Sequence, residues 1–296
     1  MTTLVTYDDE NSRKEDLLDI ITNISPTKTP MLSGFAHVKA KGTLHEWLED
    51  TLDARGHNAK VEGSDASFGA LTNPTRPVNV VQILDKTFQV SDTMRRVDTA
   101  GYKDRFNYEA QKALKALSND INHAIDRGSR ATGNVTVARQ MAGVINYITT
   151  NATNISGTSL TEAIYTNILQ DIWTAGGDPD ETYVGARVKR QINAFTANAT
   201  KNVNINDRRL VNSVDIYESS FGLQKIFLDR DALEGGSSIN SLVALQNDKF
   251  RIAWLAKPEL VNIAKLGRSS RAMIEGEVTL EVLAEKASGK LTNIIG

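Results

Sequence analysis

The chain of 296 residues contains no cysteine. Disulfides, thiolate catalysis and cysteine-ligated zinc or iron–sulfur centres are therefore excluded. Aromatic residues make up only 6% of the chain and hydrophobic residues 40%, which is typical of a globular protein with a lean core. At about 150 residues per domain, this length allows two domains or one large one.

The chain also lacks an excess of charge of either sign. Lys and Arg number 34, Asp and Glu number 36, and the net charge is -2. This balance excludes a polybasic nucleic-acid binder and a largely acidic disordered chain. No stretch approaches the roughly 20 apolar residues of a membrane span, and no signal-peptide pattern is present, so we expect a soluble cytosolic product without membrane contact.

Motifs that carry chemistry are absent as well. The sequence contains no P-loop, dinucleotide-binding, nucleophile-elbow or H-E-x-x-H pattern. The acidic GGDPDE segment at 176–181 is interpreted as a turn after a helix, because Gly, Asp and Pro form turns. The four histidines show no ligand spacing: His37, His45, His57 and His123. The sequence therefore predicts no catalytic residue, no cofactor and no metal site.

Residues 1–40 are interpreted as an arm. Between Asp8 and Asp19 lie six acidic and two basic residues, and a short amphipathic helix is predicted over 13–24. Two prolines in SPTKTP then end the helix and extend the chain. Such an arm has too few apolar residues to fold alone, so we expect it to lie on another surface.

Residues 41–92 predict a long protruding hairpin. A strand or a bent extended piece is predicted over 44–52 and a strand over 78–90, and the connection between them is rich in Gly, Pro and small polar residues. Connections longer than about 12–15 residues are usually functional or disordered. Trp47 fits packing within the subunit and packing on a neighbouring chain equally well. The candidate inter-subunit contacts of this region are Trp47, Arg55, Phe68 and Arg76.

Residues 98–128 predict the longest helix. Apolar residues recur every three or four positions, and Leu114 and Ile125 widen the stripe. Asp98 or Thr99 is expected to cap its start. A helix of this kind, apolar on one face and charged on the other, should lie across one side of a sheet.

The second half of the chain mixes helices and strands. A second helix is predicted to open at Ser159, which forms a capping box with Glu162, and Trp173 near its end is expected in the core. A short strand at TYVG precedes a third helix over 186–197. From 211 onward the pattern is that of strands. The mixed order favours an α+β fold over a wound α/β fold.

Several segments, taken in order, resemble the major capsid proteins of short-tailed bacteriophages that share the Hong Kong 97-type capsid fold. RKEDLLDIITNISPTKTPMLS resembles the N-terminal arm of that family, and WLEDTLDAR followed by RPVNVVQI resembles its extended loop. SDTMRRVDTAGYKDRFNYEAQKALKALSNDI resembles the entry to its spine helix. AGVINYITTN and ILQDIWTAGGDPDETYVGARVKRQINAF resemble its axial domain, and FGLQKIFLDR and GEVTLEVLAEKASGKLTNI its late strands.

The resemblance implies a domain plan. It assigns the arm to 1–40, the extended loop to 41–92, the spine helix with the peripheral domain to 93–150, the axial domain to 151–245, and strands returning to the peripheral domain to 246–296. It also implies a structural role without enzymatic activity. Hexamers and pentamers of the chain would form an icosahedral virion shell, assembled in the cytoplasm of a host bacterium.

The resemblance further implies partners. These are a portal, scaffolding or decoration proteins, and packaged double-stranded DNA held by weak non-specific contacts. Two other interpretations stay open at this point. One is an encapsulin-like nanocompartment shell, and the other is a soluble oligomeric enzyme with an unrecognised site.

Overall fold

A computed structural model of the chain describes residues 28–53, 56–66, 68–69, 71–97, 104–195, 215–230, 234–235 and 239–295. The arm helix predicted over 13–24 lies outside these residues. The helices are α1 (Pro30–Gly34), α2 (Arg105–Arg127), α3 (Val144–Tyr147), α4 (Glu162–Thr174) and α5 (Ala186–Asn193). The strands before α4 are β1 (Ala36–Lys39), β2 (Leu44–Glu46), β3 (Val78–Val80), β4 (Gln82–Ser91) and β5 (Ala152–Asn154). The later strands are β6 (Glu181–Val184), β7 (Ile216–Ser219), β8 (Gly222–Leu228), β9 (Glu234–Gly235), β10 (Ile239–Leu245), β11 (Phe250–Ile263), β12 (Ser269–Val282) and β13 (Gly289–Ile294).

These strands form two larger sheets and one small one. The first sheet has the order β1-β11-β12-β4, and the second contains the path β5-β13-β10-β6-β8-β7 with β9 beside β10. β2 pairs only with β3. The last strand, β13, belongs to the second sheet, so the chain from 246 to 296 is shared between the two sheets. Helices and strands are mixed along the chain, and the α+β class is confirmed.

The long helix α2 packs on the first sheet, as its apolar stripe predicts. It contacts β4 and β12, and Leu117, Ile121 and Ile125 are buried there. The helix has 23 residues, which is about 35 Å at the usual rise. Its cap differs from the prediction. Asp104 caps the helix by accepting a hydrogen bond from the backbone N of Phe106 at 2.9 Å, and the predicted caps Asp98 and Thr99 lie outside the described residues.

Two glycines allow the chain to turn closely after α2. A Cβ on Gly128 would lie 2.5 Å from the carbonyl oxygens of Ala124 and Met141, and a Cβ on Gly143 would lie 2.7 Å from that of Ile125. Such distances are too short for any side chain. The backbone of Gly143 donates to the carbonyl of Gly128 at 2.8 Å, so the end of α2 and the start of α3 are tied together.

The predicted start of the second helix is wrong by three residues. α4 begins at Glu162, and Thr161 caps it by accepting a hydrogen bond from the backbone N of Ile164. Ser159 lies two residues before this cap and therefore outside the helix, and the capping role belongs to the residue that directly precedes the first turn. The third helix begins at Ala186 as predicted but ends at Asn193.

The predicted strand over 78–90 is divided at Val81. β3 pairs with β2, whereas β4 pairs with β12 over its whole length. Between them, the backbone N of Val81 donates to the carbonyl of Thr43 at 2.9 Å. The predicted strand over 44–52 is shorter in the structure, with β2 followed by a single bridge between Glu49 and Thr75. The continuous apolar pattern over 78–90 therefore corresponds to two strands, which pair with β2 and β12 respectively.

The connection from β12 to β13 is fixed by one carboxylate. Glu285 accepts hydrogen bonds from the backbone N and the hydroxyl of Thr150, at 2.6 and 2.7 Å, and from the backbone N of Thr149. Burial raises the pKa of the Glu285 carboxyl, but the hydrogen bonds from Thr150 and Thr149 outweigh burial and hold that pKa below its usual value. This contact joins the segment after α3 to the segment that enters the second sheet.

Replacing Leu117 by Ala should destabilise the subunit by about 2–5 kcal/mol, because it removes a fully buried side chain between α2 and the first sheet. Leu114 on the same helix is 45% exposed, so Leu114→Ala is a matched control with a much smaller expected effect. Urea unfolding of both variants measures the difference. Equal losses would contradict the placement of α2 on the sheet.

Glu285→Gln should lower the urea midpoint at neutral pH. The pKa of Glu285 is lower in the folded chain than in the unfolded one. The ionised carboxylate therefore stabilises the folded chain fully at pH values above the unfolded pKa of about 4.3. This stabilisation is lost as the pH falls through the folded pKa. The gap between wild type and variant should therefore close below about pH 4. Thr150→Val removes one donor and should show a smaller gap with the same pH dependence, and a gap independent of pH would contradict the assignment.

Candidate inter-subunit surface

The candidate surface is the hairpin that leaves the body of the subunit through β2 and β3. Leu44 pairs with Val80 and Glu46 with Val78 in antiparallel register. Beyond the bridge between Glu49 and Thr75, the described residues form no further strand pairs up to the end of the loop. The loop therefore has backbone groups that no neighbouring strand of the same subunit satisfies.

The distal loop exposes its large apolar side chains. Leu52, Phe68 and Leu71 are 98%, 96% and 98% exposed, and Leu48 and Val61 are also exposed. Apolar surface in water costs roughly 25 cal/mol for each Å² that could be buried. Large exposed apolar residues clustered in one segment mark an interaction site. The loop thus contributes little to the core of its own subunit.

The predicted contact residues fall into two groups. Trp47 is half-buried and packs on the main core, with its ring 5.8 Å from His45 and 6.1 Å from Tyr147. Arg76 pairs with Glu46 at 3.1 Å in an exposed position. Phe68 stands exposed in the distal loop, and Arg55 lies outside the described residues. The structure therefore brings Trp47 and Arg76 to the base of the hairpin and leaves Phe68 away from any contact with the core.

Sequence reasoning missed the residue that fixes this base. Asn79 is fully buried, and its amide donates to the carbonyls of Ala142 at 3.0 Å and Leu280 at 2.8 Å. Its side-chain oxygen accepts from the backbone N of Ala142 at 2.9 Å. A polar residue within a strand pattern is the only signal in the sequence, and its partners lie 63 and 201 residues away.

A buried polar contact lies beside Asn79. His45 Nε2 lies 2.7 Å from Glu281 Oε2 on β12, and both side chains are mostly buried. Arg251 lies 3.8 Å from the other oxygen of Glu281. The hairpin is therefore attached to the end of β12 by polar contacts as well as by the ring of Trp47.

The expectation that Trp173 lies in the core is wrong. Its side chain is 57% exposed, with its ring 6.2 Å from that of Phe221. α4 buries Leu169 and Ile172 against the second sheet, and the position after Ile172 is turned by about 100° around the helix. Ile216 and Leu223 of β7 and β8 are exposed as well. The spacing of apolar residues in α4 does not show how far the second sheet extends on either side of the apolar face of the helix.

The described residues contain no group of three His, Asp or Glu side chains arranged to hold a metal ion. Within the same residues, no helix is long and apolar enough to cross a membrane.

Solved structures show which class of protein has this arrangement of two sheets, long helix and projecting hairpin. The chain matches the capsid of a native GTA particle with a TM-score of 0.72 and 10% identity, covering 99% of both chains. It matches a structure from Microbacterium phage Oxtober96 with a TM-score of 0.68 and 9% identity, again over 99% of both. The holo-SrpI encapsulin complex from Synechococcus elongatus PCC 7942 matches with a TM-score of 0.63 and 8% identity, over 100% of this chain and 97% of that one. The fold is the Hong Kong 97-type capsid fold.

Sequence similarity then identifies the family. The major capsid protein of Escherichia phage Phieco32 is 32% identical over 132 residues, which are 44% of this chain and 37% of that relative. The match thus spans little more than a third of the relative's length. Residues 1–294 match the SU10 major capsid protein family, and the chain belongs to this family. Membership places it in the virion capsid, in a structural role.

Asn79→Ala should destabilise the subunit and loosen the hairpin. The change leaves the buried carbonyls of Ala142 and Leu280 without their donor, and each unsatisfied buried group costs about 1–3 kcal/mol. Thermal unfolding and hydrogen exchange of the β2 and β3 amides measure the two effects. Asn58→Ala in the exposed loop is the control, and a similar melting temperature for both variants would contradict the role of Asn79.

Proposed function

We propose that this chain is the shell-forming subunit of a tailed-phage capsid, and that its hairpin contacts a second copy. The observation that supports this most directly is a loop with exposed Leu52, Phe68 and Leu71 on a base that Asn79 and His45 hold firmly. A rigid base with an apolar, unpartnered end suits contact with another chain. Hexamers and pentamers of the chain would then build a closed icosahedral shell.

The domain plan fits this role. The arm at 1–40 and the extended loop at 41–92 would reach neighbouring subunits. The spine helix and peripheral domain at 93–150, together with β11 and β12 of the segment from 246 onward, would form the shell wall. The axial domain at 151–245, whose sheet also contains β13, would lie around the axis of each ring. Trp47, Arg55, Phe68 and Arg76 remain the proposed contact residues, with Trp47 also packing inside its own subunit.

The shell would enclose double-stranded DNA, held by weak non-specific contacts, and would work with a portal and with scaffolding or decoration proteins. The structural likeness to an encapsulin complex favours a nanocompartment shell as the second candidate. The content of purified particles separates the two, since a capsid would contain nucleic acid and a nanocompartment would contain cargo protein. Family membership and the relative in phage Phieco32 favour the capsid.

Replacing residues 56–74 by a short Gly/Ser link tests the proposal. The loop contributes almost no core, and the entropy of closing a loop changes slowly with its length. We expect native-like circular dichroism and melting together with loss of closed shells in negative-stain images. Normal shells from this variant would overturn the role of the loop, and an unfolded subunit would place the loop inside the fold.

Single substitutions sharpen this test. Phe68→Ala should weaken assembly without changing subunit melting, because the ring is almost fully exposed in the subunit. Phe68→Tyr keeps the apolar ring and is the matched control. Trp47→Ala should weaken melting as well as assembly, because Trp47 packs on the main core. Equal assembly by the Ala and Tyr variants would remove Phe68 from the contact.

A further inference from the structure

A basic cleft lies at the end of the first sheet that is far from the hairpin. It forms where β4 ends and the turn between β11 and β12 passes, and it has a volume of about 300 Å³. Its lining side chains are Asp92, Arg95, Arg96 and Lys265. Three of these four groups are cationic, so the cleft attracts anions.

The charged groups around the cleft are held in place. Lys265 Nζ contacts both carboxylate oxygens of Asp92, at 3.0 and 3.1 Å, and the hydroxyl of Ser270 donates to the same carboxylate at 3.1 Å. Arg95 donates to the hydroxyl of Ser270 at 3.1 Å, lies 3.7 Å from Asp104, and stacks over the ring of Phe106. A fixed guanidinium loses little freedom when it binds a carboxylate.

The local field is positive enough to act on the one acid in the cleft. The hydrogen bond from Lys265 lowers the pKa of Asp92, burial raises it, and the hydrogen bond from Ser270 and the charges of Lys265 and Arg96 lower it again, so that this pKa lies below its ordinary value. Asp92 and the neighbouring Asp104 together offset two of the three cations, so one positive charge remains.

Exposed apolar residues are the sequence neighbours of these cations. Met94 and Val97 flank Arg95 and Arg96 in the chain, Leu266 follows Lys265, and all three apolar side chains are exposed. A surface that is basic and apolar together fits a segment that is acidic and apolar together.

The hairpin of this same chain contains such a segment. Residues 48–53, LEDTLD, contain three carboxylates, no cation and two leucines. Leu48, Asp50, Leu52 and Asp53 are exposed. Charge and apolar content are thus complementary between the two surfaces.

The two surfaces lie at opposite ends of one strand. The cleft is beside Ser270, and the hairpin base is attached at Glu281. These residues are eleven positions apart on β12, which is about 36 Å in an extended strand. A rigid sheet separates the complementary surfaces, so they meet most directly when the hairpin of one copy reaches the cleft of the next. Such a contact is head-to-tail, and it generates a ring when the rotation from one copy to the next closes.

We propose that residues 48–53 of one copy bind the cleft of Arg95, Arg96 and Lys265 on a second copy. This inference rests on the proposed function, in which the hairpin contacts another subunit. It identifies the surface of that subunit to which the hairpin binds. Asp50 and Asp53 contact the cations, and Leu48 and Leu52 cover Met94, Val97 and Leu266. Rising salt should therefore weaken assembly of the wild type.

A charge swap tests the pairing. Arg96→Glu and Asp53→Lys should each lower the yield of closed shells by about tenfold, and the double variant should recover most of it, because a close charge pair contributes about that much. Arg96→Gln, which is neutral, should show a smaller loss. Arg130→Glu combined with Asp53→Lys is the control and should not recover. Unchanged melting temperatures show that all variants fold.

A crosslink gives a readout that does not depend on yield. The chain has no cysteine, so Asp53→Cys with Arg96→Cys introduces its only two thiols. A short bis-maleimide should then join subunits into multimers longer than dimers, whereas either single variant should give none. Asp53→Cys with Lys112→Cys, on the exposed face of α2, should also give none.

Two results would overturn the pairing. Full assembly of the single reversals would show that the cleft carries no contact. Loss of assembly without recovery and without the crosslink would show that the cleft binds another anion, such as the acidic segment at 8–19 or DNA phosphate. If either of these results is obtained while replacement of 56–74 abolishes shells, the pairing fails and the proposed function stands. If that replacement leaves shells normal, the proposed function fails.

Discussion

The buried amide of Asn79 is the constraint on which the rest of the structure depends. It satisfies the carbonyl and the backbone N of Ala142, which follows α2, and the carbonyl of Leu280 on β12. Inside a protein a fully satisfied polar network specifies one arrangement, since any other leaves buried groups unpaired. Asn79 therefore fixes the hairpin, the end of the long helix and the central strand of the first sheet relative to one another.

The distribution of apolar residues follows from that fixed point. Two buried clusters lie in the body, one around α2 and the first sheet and one between α4, α5 and the second sheet. The described residues of the loop beyond the bridge between Glu49 and Thr75 belong to neither cluster. A chain with only 6% aromatic residues leaves Phe68 fully in water. Because burial of apolar surface is the main driving force for association, this exposed loop is the part of the subunit that gains most from cover by another chain.

Local patterns predicted the elements but not their partners. The stripe that includes Leu117 and Ile121 predicted α2 and the face it buries, since helical spacing is a property of the chain itself. The break at Val81 was missed because both halves of the segment are rich in β-branched residues, and only pairing with β2 or β12 separates them. Trp173 was misplaced for the same reason: its exposure depends on the edge of a sheet built from distant segments.

The candidate site shows this limit more strongly. The glycine-rich segment between the predicted strands indicated a protruding loop, and Phe68 could be chosen by size alone. His45 paired with Glu281 and Asn79 paired with Ala142 could not be chosen, because each contact joins residues that are far apart in the chain. The basic cleft likewise unites Arg95 with Lys265 only after β4 and β12 have paired.

The nature of the proposed contact matters if the subunit forms the proposed rings of both five and six copies. A close-packed apolar interface tolerates little change in angle, because packed interiors do not deform continuously. A contact between an extended loop and fixed cations depends on electrostatic attraction over several ångströms. This attraction weakens only gradually as the distance between the charges grows. In the proposed shell, the rigid sheet with its α2 rod would set the thickness of the wall, and the loop segment and the cleft at the two ends of that sheet would absorb the difference between the two rings.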